Sequence, residues 1–164
     1  MSDLKLIGSM RRLDDRHGAV RVEDVYDTDI DDLWQACTTP ERLARWIGEV
    51  SGDLRVGGSI NASWTSSWTG PGRIETCEPP RHLLLTMEPG TDDETEIEAW
   101  LTEEGTKTRL VVEERGLPLD TLHHYGAGWQ AHLEDLGRSL QGAESVWHDR
   151  WTELAPSYEQ LGVQ

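Results

Sequence analysis

The sequence contains no phenylalanine. Another large apolar side chain must fill that role, and eight tryptophans stand beside three tyrosines. Tryptophan carries a large apolar body and an N–H that needs a partner. A cluster of them lines a pocket for a flat or greasy ligand, or simply replaces phenylalanine in the core; both readings stay open. Basic residues are also scarce: Lys and Arg number 15 against 31 Asp and Glu, a net charge of -16. That balance excludes the basic footprint of a nucleic-acid binder and any attraction to anionic membranes. Its plain meaning is solubility. Cysteine is nearly absent. Cys37 and Cys77 make neither a disulfide framework nor a metal knuckle, and their apolar neighbours mark them as small core residues. No apolar run approaches membrane-spanning length, and the N-terminus lacks the apolar stretch of a secretory signal. A cytoplasmic protein is expected. The 164 residues suffice for one domain with a real core.

The longest helical pattern runs from Pro118 to Gln141 and organises the rest. Leu122, Tyr125, Trp129, Leu133, Leu136 and Leu140 recur at steps of three and four, building one apolar stripe. Pro118 suits a first helical turn and Gly142 a stop. The span predicts a helix of about 36 Å. Gly126 and Gly128 sit inside it, where each costs about 1 kcal/mol relative to Ala. They imply close approach of another backbone or room kept beside Trp129.

Most of the chain before this helix reads as β. Residues 7–13 form a hairpin with the next strand, or a frayed tail, with His17 in the turn. Ala19 to Tyr26 alternates as a half-buried strand does. Asp27 or Thr28 caps a helix over Ile30 to Cys37. Thr39-Pro40 opens a second short helix. Period-two segments then follow in hairpin succession to Glu114. Ile97, Ala99 and Leu101 oppose Glu96, Glu98 and Trp100 in one of them. A last short helix carries Trp147, Trp151 and Leu154 and is interrupted by Pro156. Short turns mean an antiparallel meander. The expected architecture is α+β. A curved sheet of about six to seven strands wraps a long C-terminal helix, with two short helices after the first strand. Residues 1–164 are read as one domain, with 1–18 as an extension or hairpin arm and 143–164 as a C-terminal clasp.

Several residues in order carry a resemblance. They are Val22-Glu23, then Asp29 with Leu33-Trp34, then Thr39-Pro40-Glu41-Arg42-Leu43-Ala44-Arg45-Trp46. Gly57-Gly58, Gly72-Arg73-Ile74, Glu78-Pro79-Pro80, Gly128-Trp129, Leu133 and Leu136 continue it. The pattern resembles the helix-grip fold of the START/Bet v 1-like (SRPBCC) superfamily. It is most similar to the branch containing the C-terminal domain of the activator of Hsp90 ATPase. The resemblance covers most of residues 19–141. It implies a cavity between the long helix and the concave sheet. Members bind sterols, lipids or polyketides there, catalyse cyclisation or hydrolysis, or sequester a toxic natural product. Fold does not fix function.

Within that frame Trp46, Trp64, Trp68 and Trp100 are expected as cavity walls, with Tyr125, Trp129 and His132 on the helix face opposite. Trp34 and Trp147 read as core or clasp packing. His132 reads either as a proton donor or as a boundary histidine satisfied by water, the plainer of the two. If the concave face carries Trp100, Glu96 or Glu98 reaches the cavity and acts as acid or base. His124 and His132 lie about 12 Å apart along a helix, too far to share one metal ion. No metal and no cofactor is expected. The first functional reading is binding of a small hydrophobic or aromatic molecule, with no nucleic acid and no membrane insertion. The alternatives are a cyclase or hydrolase in the same cavity, or a co-chaperone-like interaction domain with a collapsed pocket. The sequence leaves homodimer formation through residues 1–13 or the tail open.

Overall fold

The structure is a computed structural model describing residues 4–164. Residues 1–3 of the expected N-terminal arm lie outside the described part. The chain runs β1 (Gly8–Arg12), β2 (His17–Tyr26), α1 (Ile30–Thr38), α2 (Pro40–Leu43), β3 (Gly48–Gly52), β4 (Ser59–Trp64), β5 (Thr69–Glu78), β6 (His82–Met87), β7 (Thr95–Glu104), β8 (Lys107–Pro118), α3 (Leu122–Leu140) and α4 (Trp147–Leu161). One antiparallel sheet has the order β1-β2-β8-β7-β6-β5-β4-β3. It is the expected helix-grip arrangement, with eight strands rather than six or seven. The strand beyond that count is β1 at one edge, which pairs with β2 as a hairpin; at the other edge β3 carries buried Gly48 and half-buried Val50 among exposed residues.

Side-chain parity sets the two faces of the sheet. Thr95, Ile97, Ala99 and Leu101 of β7 are buried toward α3, and Glu96, Glu98 and Trp100 point the other way. In β8, Leu110, Val112 and Glu114 share the inner parity. A register shift between Gly18 and Ala19 of β2 breaks the pairing with β8 near Gly116, whose φ of +93° favours glycine. Bulges of this kind bend a strand, here beside α3.

The long helix differs from expectation at its start. Pro118 pairs with His17 as the last residue of β8, a 3-10 turn over Leu119–Thr121 follows, and α3 begins only at Leu122. Its 19 residues span about 28 Å. The two short helices also differ in their caps. Asp29, not Asp27 or Thr28, accepts from Asp32 N at 2.8 Å and caps α1. Thr39 donates its hydroxyl back to Gln35 O at 2.8 Å and so closes α1.

Pro156 does not interrupt α4, which continues to Leu161 and packs along α3. This packing explains the glycines. A Cβ on Gly126 would stand 2.7 Å from the Tyr158 ring, and one on Gly128 3.4 Å from Trp147. The close approach is by side chains of α4, not by a backbone. Gln130, fully buried on α3, ties the elements together. Its Oε1 accepts from Ile7 N at 3.1 Å and Tyr158 Oη at 2.6 Å, and its Nε2 donates to Lys5 O and Glu134. Asp135 accepts from Ser145 Oγ and from Val146 N and so fixes the entry into α4. At the far end Gln164 exchanges two backbone hydrogen bonds with Met10 and Arg12 of β1.

Candidate functional site

The space between α3 and the sheet is not filled. A cavity of about 680 Å³ opens between the N-terminal half of α3, the inner ends of β6–β8, the β4–β5 turn and α4. A second, nearly all-apolar cavity of about 120 Å³ lies deeper, toward α1 and α2. Ile47, Trp64 and Trp129 border both, so they form the partition.

Two stacked tryptophan pairs wall the larger cavity. Trp64 and Trp68 flank the β4–β5 turn with ring centroids 5.7 Å apart. Trp147 and Trp151 sit one turn apart on α4, with centroids 6.1 Å apart. Trp129 projects from α3, and its indole N–H donates to Glu114 Oε1 at 2.8 Å. Thr95 Oγ1 donates to the other carboxyl oxygen at 2.7 Å. Glu114 keeps some surface open to the cavity, yet protein surrounds it. Burial pushes its pKa up, while the Trp129 and Thr95 donors partly oppose this. His132 is 5% exposed, edge-on to Trp129 and tilted against Trp147. Its Nδ1 lies 3.3 Å from Trp46 O. A carbonyl only accepts, so Nδ1 carries the proton and Nε2 is left as an acceptor. Burial holds this imidazole down at about 4, so it is neutral near pH 7. Glu88 accepts from Trp68 Nε1 at 3.3 Å at the rim.

The expected site residues are thus distributed unequally. Trp64, Trp68, Tyr125, Trp129 and His132 line the larger cavity. Tyr125 stands at its mouth, 39% exposed. Trp46 borders only the inner cavity, and its indole N–H is spent on Ala36 O at 2.9 Å. Trp100 is on the wrong face. It lies on the convex side, stacked on His82 with the Arg21 guanidinium 5.7 Å from its ring centre. Glu96 and Glu98 share that side and pair with Arg115, so neither reaches the cavity. Nor is His132 a water-satisfied boundary residue, since it is buried and bonded to backbone. Sequence reasoning missed Glu114, Trp147 and Trp151 as wall residues. The signal for Glu114 was its parity with Leu110 and Val112; for Trp147 and Trp151 it was their four-residue spacing. Among the described residues no cluster of His, Cys, Asp and Glu could hold a metal ion, and no helix is long and apolar enough to cross a membrane.

Residues 27–141 match the family described as activator of Hsp90 ATPase homolog 1-like protein. The chain belongs to this family. Among solved structures, it resembles the crystal structure of CalU16 from Micromonospora echinospora at 30% identity and a TM-score of 0.75, over 94% of this chain and 96% of that one. DynU16, from the dynemicin biosynthetic locus, is 26% identical with a TM-score of 0.70, over 77% of this chain and 48% of that one. An Hsp90 activator from Plasmodium falciparum shares the fold at 16% identity and a TM-score of 0.63, over 76% of this chain and 96% of that one. No curated protein matches the sequence. The family supports a ligand-binding fold, and in this chain the indole pairs and Glu114 line the space under the helix.

Proposed function

We propose that the chain, as one domain with residues 143–164 as its clasp, binds a small hydrophobic or aromatic molecule in the larger cavity. The observation that carries this is an open space of about 680 Å³ walled by two indole pairs. That volume lies within the range of small-molecule sites. Burying about 200 Å² of apolar ligand surface would contribute about 5 kcal/mol before the entropy of association is subtracted. The collapsed pocket of a pure interaction domain is at odds with this space. The origin of DynU16 in a biosynthetic locus is in keeping with small-molecule handling. The test is native mass spectrometry of freshly purified protein, with extraction after denaturation. A bound small mass released on denaturation is the expected result. An apo mass, with no shift in melting temperature across a panel of aromatic ligands, would refute the proposal.

A second reading, acid–base catalysis in the same cavity, rests on Glu114 and His132. Burial pushes the pKa of the carboxyl up and that of the imidazole down, so burial favours the protonated form of the one and the proton-free form of the other, an acid and an acceptor facing the same space. The extracted molecule would then change with time on incubation, and Glu114→Gln would stop that change. An extracted molecule stable in the presence of protein would refute this reading alone.

A further inference from the structure

The carboxylates of this chain divide by side of the sheet. On the convex face Glu113 meets Arg11, Arg21 and Arg115, Glu98 meets Arg115 and His82, and Glu75 meets Arg73. Around the larger cavity the order is reversed. Glu88, Asp92, Asp93 and Glu114 line it. Among the described residues none of these four has a cationic partner. Glu114, the most enclosed, is held only by the neutral donors Trp129 and Thr95.

Four of the five indole N–H groups that line this cavity are already spent, and the remaining donors, Trp64 Nε1, Ser66 Oγ and Tyr125 Oη, belong to the β4–β5 side and the mouth rather than to the surroundings of Glu114. The indole N–H of Trp129 is spent on Glu114, that of Trp68 on Glu88, that of Trp147 on Gly128 O at 3.0 Å and that of Trp151 on His124 O at 3.0 Å. His132 donates to Trp46 O and keeps Nε2 as an acceptor. Each oxygen of Glu114 has accepted one bond and can accept another. Around Glu114 and His132 the interior therefore offers acceptors and aromatic faces, and asks its ligand for donors. The cationic side chain at the rim, Arg16, belongs to the β1–β2 turn, beside His17, which Asp14 already holds at 3.0 Å.

Building on the reading that this cavity takes a small molecule, we propose that it selects a protonated amine on an aromatic or apolar body. The ammonium sits on Glu114, with the body between the tryptophan pairs. An ammonium brings three donors and a charge. Charge-assisted bonds are about twice as strong as neutral ones, and aromatic faces attract cations. Seating the ammonium favours the ionised form of Glu114, so amine affinity is lost as pH falls into the raised range of that carboxyl and is lost again where the amine deprotonates. The other groups facing this space are Glu88, Asp92, Asp93, Arg16, His17, His124 and His132.

The test compares three probes of one shape, 1-naphthylmethylamine, 1-naphthylmethanol and 1-naphthoate, by titration calorimetry at pH 7.5 and low salt. The amine is expected to bind about tenfold tighter than the alcohol, and the carboxylate weakest. Glu114→Gln should abolish the amine's advantage over the alcohol, both measured in that variant. Glu88→Gln, at the half-buried rim, should reduce that advantage by about twofold. Circular dichroism checks the fold of each variant, and the wild-type series decides even where a variant does not fold. Equal affinities, a preference for the carboxylate, or a full amine preference in folded Glu114→Gln would overturn the proposal while leaving the cavity reading intact. Binding of none of the three would overturn both.

Discussion

His132 makes the fold sensitive to acid, and the size of the effect follows from its surroundings. The imidazole is enclosed by Trp129, Trp147 and the Trp46 carbonyl, with no carboxylate hydrogen-bonded to it. Burial lowers its pKa from 6.5 to about 4. In the unfolded chain it binds a proton as pH falls through 6.5, and in the folded chain only near 4. Between those values the unfolded state holds more protons, so stability is lost as pH falls. At about 1.4 kcal/mol for each pH unit between them, the loss is about 3 kcal/mol, a large part of a domain's typical stability of 5–15 kcal/mol. Glu113 acts in the same direction but lower, because the Arg11 hydrogen bond holds its pKa near 2. Glu114 acts in the opposite direction above the ordinary carboxylate range. The assay therefore compares wild type with His132→Gln by urea unfolding at several pH values from 4 to 7.5. The stability difference between them should be constant above pH 7 and shift by about 3 kcal/mol against wild type by pH 4. A difference independent of pH would refute the burial argument.

Three further outcomes are expected. Gly126→Ala should destabilise by about 1–3 kcal/mol, although alanine is the better helix former, because its Cβ would meet the Tyr158 ring at 2.7 Å; a raised melting temperature would show that α4 yields there. Gln130→Ala removes the side-chain partners of Ile7 N, Lys5 O and Tyr158 Oη. It should cost about 2–4 kcal/mol in chemical unfolding and speed amide exchange at Ile7; unchanged exchange would contradict the hub role. Trp68→Ala should weaken binding of an aromatic ligand at least about threefold, whereas Trp100→Ala, on the convex face, should leave it unchanged in the same calorimetric titration.

The long helix, its stripe and the two-period strands were legible because burial on one side imposes a period. Leu133 and Leu136 follow from that period alone. What the period could not supply was a sign. Alternation in Thr95 to Glu103 separates Trp100 from Ile97, but both sets contain large apolar bodies, and the choice of inner face depends on strands far away in sequence. The same rule applied to Leu110, Val112 and Glu114 would have placed a carboxyl inward. That residue is what departs from the pattern of a solvated strand face. Pro118 ends β8 rather than starting the helix because its local preference suits a helix start and a strand end alike, and pairing with His17 decides between them. Trp147 was assigned to packing and also lines the cavity, since one indole can present an edge to Gly128 O and a face to open space.

The strand order has a consequence for how the cavity comes into being. Strands β3 to β8 are joined by successive hairpins and can pair locally, but β2 must find β8, and the Tyr26–Thr108 pairing closes a loop of about 80 residues. Such non-local closure is slow, on the millisecond-to-second scale. Until it occurs, Glu114 and Leu117 lie on an unpaired edge and α3 has no concave surface to grip. The pocket is thus a late product of folding. A guest recognises only the finished chain and slows its unfolding, leaving the rate of its assembly unchanged.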